Sequence, residues 1–272
     1  VRIIYEPRGR AAEYAKLAAS GYRYCNHGCR YCFNPLALHC TAEDFLKPVV
    51  RQGVLTAFEK DCKELAAAGD QREILLSFST DPYNELEERY HITRSMIALL
   101  IEYGLHFTTL TKGTMPPEDL DLMQQRPDLC RYGTTLTFLS AKDRELWEPN
   151  ATPGVSRVNA LREAAGLGIR TWASIEPVIY PRQSLELIRL AIPYCQEFRI
   201  GKFNHTGSKV LQEFMTSIGY APPTEAQLAQ FVDDAGQLLG QSGRKCIFKK
   251  DLQPYLSRES RECPRVKYEV PE

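Results

Sequence analysis

The chain carries no net charge: 34 Lys and Arg balance 34 Asp and Glu. Nothing global therefore draws it to nucleic acid or to a membrane surface. No apolar run approaches the roughly 20 residues of a membrane-spanning helix. No internal repeat, low-complexity tract or evident linker is present, which excludes solenoids and compositionally biased segments. The opening VRIIYEPRGR lacks the apolar segment of a secretory signal, and the expectation is a cytoplasmic protein without membrane contact. Cysteine is present but odd in number, nine, and unevenly clustered. That argues against a disulfide framework and for thiols kept reduced. Hydrophobic residues make up 43% and charged ones 25% of the 272, the balance of a globular chain large enough to bury a core without cross-links.

What is there is an alternation of short β-rich runs with helical stretches. Strands are expected at 74–80, 106–111, 132–139, 170–179 and 197–203, preceded by a short one ending at Cys25. Each is rich in Ile, Val, Thr, Phe or Tyr. Helices are expected at about 42–68, 91–103, 117–126, 155–168 and 183–193, the first with Thr41 as N-cap. Six strands with five intervening helices read as a βα repeat with a parallel sheet and right-handed crossovers. An open doubly wound sheet and a barrel both fit, and both place ligands at the carboxyl ends of the strands. The polar residues cluster there: the cysteine loop, STDPYNE, TKG, TFLSAKD, SIEPV and GKFN each follow or close a strand.

The first of these loops, in GYRYCNHGCRYCFNP, holds Cys25, Cys29 and Cys32 in a C-x3-C-x2-C spacing. Thiolates bind zinc or iron–sulfur clusters. Three cysteines can grip three corners of a [4Fe–4S] cluster and leave the fourth iron open to a chelating ligand. Zinc is the rival, with His27, His39 or Cys40 completing a Cys₃His or Cys₄ site, although no ordinary finger spacing is present. Glu176 stands out separately, because a carboxylate inside an apolar strand needs a partner or a ligand.

CNHGCRYC resembles the signature of radical S-adenosylmethionine (SAM) enzymes, with Tyr31 in the aromatic place before the third cysteine. The flanking sequences through about residue 205 are similar to the branch of spore photoproduct lyase and DNA-repair photolyase-like proteins. The fold so implied is a partial (β/α)6 TIM-like barrel over 1–205, its cluster loop at 25–32. A helical C-terminal extension, 206–272, would pack on the barrel and touch substrate. The resemblance implies a [4Fe–4S] cluster on Cys25, Cys29 and Cys32, with SAM as cofactor. It further implies an external electron donor of flavodoxin or ferredoxin type, and a 5′-deoxyadenosyl radical that abstracts hydrogen from substrate. Residue by residue, Thr80 and Asp81 would meet the methionine amino group and Lys112 the carboxylate. Thr137 and Ser140 would meet the ribose, and Phe33 and Asn34 would lie beside adenine. Glu176 would bind ribose, amine or substrate, and Lys202 and Asn204, closing the sixth strand, would also contact the cofactor. Lys112 and Glu176 are the residues expected to act closest to the chemistry.

The resemblance breaks at the groups that pass hydrogen in spore photoproduct lyase. FSTD puts Phe78 where that branch has a cysteine, and Phe33 stands where it has a tyrosine. Photoproduct reversal by that relay is therefore disfavoured. Of the other cysteines only Cys40 is near enough in sequence to serve as a substitute donor. Residues 244–267 carry eight Lys and Arg against three Asp and Glu, with Phe248 and Tyr255 interleaved. A basic and aromatic patch of this kind suits phosphate contacts and base stacking. Nucleic acid, contacted by Lys249 and Lys250, is the leading substrate expectation. A peptide or small molecule comes second, and a nonenzymatic zinc- or cluster-binding module third.

Overall fold

The computed structural model describes residues 2–204, 206–257 and 266–268. Its centre is an eight-stranded, all-parallel sheet. Ten strands occur in chain order: β1 Leu17–Ala19, β2 Tyr22–Arg23, β3 Val49–Val50, β4 Ile74–Leu76 and β5 Phe107–Thr111. They continue with β6 Cys130–Thr135, β7 Arg170–Val178, β8 Glu197–Lys202, β9 Lys245–Phe248 and β10 Val266–Tyr268. The sheet runs β1-β4-β5-β6-β7-β8-β9-β10, while β2 and β3 form a separate antiparallel ribbon. This is the parallel α/β architecture expected from the βα repeat, in the partial TIM-like form that the resemblance implies.

Strands β1 and β4 to β9 are buried on both sides, as parallel strands must be. On one side Phe58, Ile97, Leu161, Leu187 and Phe231 come from the helices Val54–Ala67, Ile92–Glu102, Gly154–Gly166, Pro181–Ala191 and Glu225–Gln241. A separate cluster of Tyr14, Ala18, Leu75 and Trp172 fills the interior. Trp172 takes its place because Gly133 opposite it has no Cβ; an added carbon would lie 2.3 Å from the indole. Its Nε1 donates to Thr108 Oγ1 at 2.7 Å. The Arg131 and Arg199 guanidinium groups lie over the indole ring, 5.7 and 5.4 Å from its centroid.

Three local readings are corrected. The first strand lies at Leu17–Ala19, ahead of the cysteine loop, and Tyr22–Arg23 belongs to the ribbon that closes the loop's base. The helix expected over 42–68 is two, Ala42–Phe45 and Val54–Ala67. Pro48 lacks the N–H that a continuous helix needs and biases Lys47 towards extended backbone. Thr41 does cap the first of them, accepting from Asp44 N–H at 3.0 Å. The C-terminal part has its helices, Lys209–Ser217 and Glu225–Gln241, but it also extends the sheet through β9 and β10.

The amino ends of the strands are joined by ions. Glu197 accepts from Arg199 at 2.8 Å and Lys245 at 2.6 Å, and lies 3.4 Å from Arg131. Burial alone would raise its pKa, but the three cations reverse that and hold it at about 2. A depressed carboxylate pKa contributes stability that is full above the ordinary value of 4.5 and is lost as pH falls towards 2. The contribution is about 3 kcal/mol. Urea unfolding of Glu197→Gln at a series of pH values should show lower stability at neutral pH and a flatter acid limb. An unchanged acid limb would count against this network.

Candidate active site

A cleft of about 190 Å³ opens at the carboxyl ends of the strands. Cys25, Cys29 and Cys32 line it together and are free, half-buried thiols. The loop that carries them is pinned at both ends. Cys25 N–H donates to Phe45 O at 3.0 Å, and Cys32 N–H to Cys29 O at 3.0 Å. The Thr80 hydroxyl donates to Tyr24 O, and Asn34 Nδ2 to Ser79 O at 3.1 Å. Thr80 and Asn34 thus line the cleft while tying its loops together.

The loop after β6 grips the cysteine loop from the other side. Arg30 N–H donates to Trp147 O at 2.8 Å, and Asn150 Nδ2 to Asn26 O at 2.8 Å. The Tyr31 hydroxyl donates to Glu148, whose other oxygen takes Arg157 Nη2 at 2.5 Å. Glu148 and Arg157 are fully buried, and Arg157 also donates to Thr135 O and Thr152 O. Sequence reasoning missed this pair. Two opposite charges nine residues apart across a Pro-containing turn leave no helical or strand periodicity to notice.

Asp81 is spent within the site. It accepts from Thr111 Oγ1 at 2.6 Å, Lys112 N–H at 2.8 Å and Tyr83 N–H at 2.9 Å, and lies 3.0 Å from His27 Nε2. Burial would raise its pKa, yet His27 and these donors hold it at about 2. Asp81 thus caps the turn through Tyr83 N–H, and His27 is its partner. Lys112, placed by that backbone bond, has its ammonium 5.6 Å from the Tyr31 ring centroid. Burial would lower its pKa, but negative charge beside it, Cys29 where ionised and the Glu148 carboxylate, reverses this and raises it. Burial pushes the Cys29 thiol up to about 12 and raises those of Cys25 and Cys32. Without a metal the three are neutral thiols, and a bound cation would displace their protons.

On the opposite wall Glu176, from β7, has the partners its burial demanded. Both the Tyr14 hydroxyl and the Lys249 ammonium donate to one of its oxygens, and Lys249 also lies 3.3 Å from Glu13. Gly201 on β8 permits this, since a Cβ there would fall 2.6 Å from the carboxylate. Tyr14 and Lys249 were not foreseen as cleft residues. Phe33, Lys202 and Asn204 line the cleft as expected. Asn204 donates to Lys202 O at 2.7 Å and to Asp251.

Two expected residues stand apart. Thr137 is fully buried and Ser140 caps the helix Ala141–Trp147, accepting from Asp143 N–H at 3.2 Å; neither lines the cleft. Cys40 does not line it either. The basic patch is also corrected. Lys249 and Phe248 are buried, Lys245 pairs with Glu197, and Lys250 is exposed. The rest of that segment's charges at 258–265, with Cys263, lies outside the described residues. No helix among the described residues is long and apolar enough to cross a membrane.

The residues present fit an iron–sulfur cluster better than zinc. Among the described residues, no three His, Cys, Asp or Glu side chains converge where a single ion would be held. A closed Cys₃His or Cys₄ zinc site, with bonds of about 2.0–2.3 Å to one centre, is therefore not formed. A cluster takes each thiolate on a different iron, so three thiols bordering one cleft suit it.

A family model of the radical SAM superfamily matches residues 20–191. An uncharacterized protein of Mycobacterium tuberculosis is 29% identical over 168 residues, which cover 56% of this chain and 47% of that protein. One of Methanocaldococcus jannaschii is 23% identical over 166 residues, 61% of each. The chain thus spans about half the length of the mycobacterial relative. Among solved structures, a spore photoproduct lyase variant superposes with a TM-score of 0.67 at 14% identity, over 89% of this chain and 78% of that one. Streptococcus suis SuiB bound to S-adenosylmethionine gives 0.60 at 11%, over 85% and 49%. These superpositions speak to fold.

Replacing Glu148 with Gln leaves Arg157 charged and unpaired in the interior. The expected loss, read by urea unfolding, is about 3–5 kcal/mol. The double variant E148Q/R157M should lose less than the sum of its single variants, because no lone charge remains. A single-variant loss under about 1 kcal/mol would mean that the pair does not hold the loop.

Proposed function

Since the chain belongs to the radical SAM superfamily, an enzyme family that uses S-adenosylmethionine and an iron–sulfur centre, we propose that Cys25, Cys29 and Cys32 hold a [4Fe–4S] cluster and that SAM binds beside it in the cleft. Bound there and reduced by an external flavodoxin- or ferredoxin-type donor, the pair supplies a 5′-deoxyadenosyl radical that takes hydrogen from substrate. The observation that carries this reading is the meeting of three unpaired thiols and a charged lysine in one cleft at the carboxyl ends of parallel strands.

The chain's own residues then have distinct tasks. Lys112 offers a fixed cation to the methionine carboxylate, and its backbone is set by Asp81. Tyr31, anchored on Glu148, gives the third cysteine a rigid neighbour. Phe33, Phe45, Phe78, Leu110 and Phe203 give the cleft apolar walls that keep water from a reactive centre. Glu176 presents a carboxylate whose orientation Tyr14 and Lys249 fix. Phe33 and Phe78 both line the cleft, and a phenyl ring has no weak X–H bond to give. Reversal of a thymine photoproduct through groups at those two positions is thereby disfavoured.

Substrate class is open to more than one chemistry on fold grounds. The similar structures include a spore photoproduct lyase complexed with a dinucleoside photoproduct and SuiB with its precursor peptide. With Lys249 buried, a nucleic acid substrate no longer draws support from that residue.

Anaerobic reconstitution should give about four irons and four sulfides per chain. Dithionite reduction with SAM should release 5′-deoxyadenosine. Cys29→Ala should lose the cluster absorption and that release together. Lys112→Met should keep the cluster and weaken SAM binding about tenfold. Zinc in place of iron, with SAM left intact under reduction, would sink the reading.

A further inference from the structure

Three lysines line the cleft, and they differ in how their charge is balanced. Lys249 is neutralised by Glu176 and Glu13. Lys112 and Lys202 have no ion pair among the described residues. Lys112 stands on the cysteine side, over Tyr31. Lys202 closes β8 on the opposite wall, where its ammonium donates to the neutral Tyr255 hydroxyl at 3.0 Å. The carboxylates around it among the described residues are engaged: Glu176, against Gly201, with Tyr14 and Lys249, and Asp251 with the Asn204 amide and the Lys202 backbone N–H. Asn204 in turn donates to Lys202 O at 2.7 Å, so the strand end, the amide and Asp251 form one braced corner. The ammonium is thus directed by a phenol and, among the described residues, makes no ion pair inside the cleft.

A half-buried cation without a counter-charge is unfavourable unless a ligand supplies one. SAM, under the function proposed above, brings one carboxylate, and Lys112 suffices for it. Lys202 and its brace at Asp251 and Tyr255 also lie beyond residues 20–191, the part matched by the superfamily model. The superfamily match therefore does not by itself assign Lys202 a role.

We infer that Lys202, oriented by Tyr255, is the anion-binding residue of a substrate subsite, and that the substrate presents a phosphate or carboxylate group to it. The assignment rests on the SAM reading only for the role of Lys112. A hydrogen bond from an ammonium to such an oxygen is charge-assisted and strong enough to select the substrate's orientation. With the anion held at the β8 wall, the remainder of the substrate is directed across the cleft towards the cysteine loop.

The test uses the reconstituted holoenzyme saturated with SAM, held at constant ionic strength with chloride. Thermal midpoints are followed against inorganic phosphate in one arm and acetate in the other, since a ligand of the folded state raises the midpoint in proportion to its occupancy. Wild type and Lys250→Met, an exposed control, should show a saturable rise in at least one arm. Lys202→Met should bind that anion about tenfold more weakly, and Tyr255→Phe about threefold. The midpoint rise given by SAM should persist in Lys202→Met and shrink in Lys112→Met. A response to phosphate alone identifies a phosphate-bearing substrate, and one to acetate alone a carboxylate. The inference is overturned if wild type responds to neither anion, if Lys202→Met keeps the response, or if Lys202→Met loses the SAM rise instead. Absence of a SAM rise in every variant would defeat the proposed function, and the anion arms would still decide Lys202.

Discussion

The site depends on one buried charge pair. Glu148 and Arg157 lie with no solvent around them, and through Tyr31 they fasten the cysteine loop to the turn that follows β6. A buried pair of this kind contributes little net stability, since desolvation offsets much of its attraction. It does make geometry all-or-none: the carboxylate has no other partner to offer a displaced loop. The backbone bonds of Arg30 and the Asn150 amide add a second and third tie between the same segments. Three cysteines on an otherwise irregular loop are thereby held at fixed places around a cleft, which is what a cluster with one open iron needs from its protein.

Charge in the cleft is arranged in two halves. On the cysteine side, Asp81 is ionised but fully occupied by His27, Thr111 and the Lys112 backbone, so its charge steadies the loop. Lys112 is left to face the cleft. On the far side, Glu176 is paired with Lys249 over Gly201, and Lys202 lines the cleft with the Tyr255 phenol as its hydrogen-bond partner. Each wall therefore combines one satisfied pair with one available cation. Apolar aromatics separate them, which strengthens any interaction made there by excluding water.

The strands and the position of the site were legible because both depend on short-range pattern. Runs such as Phe107–Thr111 and Arg170–Val178 are β-rich by composition, and a parallel sheet has its ligands where such runs end. The Thr41 cap was readable for the same local reason. Other features were not. Lys249 reads as one more charge in a basic run, yet β9 carries it into the interior, where Glu176, 73 residues away, receives it. The sheet's continuation through Lys245–Phe248 was hidden because its three apolar residues, Cys246, Ile247 and Phe248, are too short a run to tell a strand from a helix or a loop. Thr137 and Ser140 matched a pattern in position but do not line the cleft: Thr137 is fully buried and Ser140 caps a helix.

The sequence by itself determined the chemistry on offer: three closely spaced thiols, a βα alternation, and polar residues gathered at strand ends. Covalent proximity and periodicity suffice for those. Only the tertiary structure decided which charges are cancelled and which remain for a ligand. That outcome turns on contacts between residues far apart in the chain, where burial sets the strength of each charge and no local pattern records its partner.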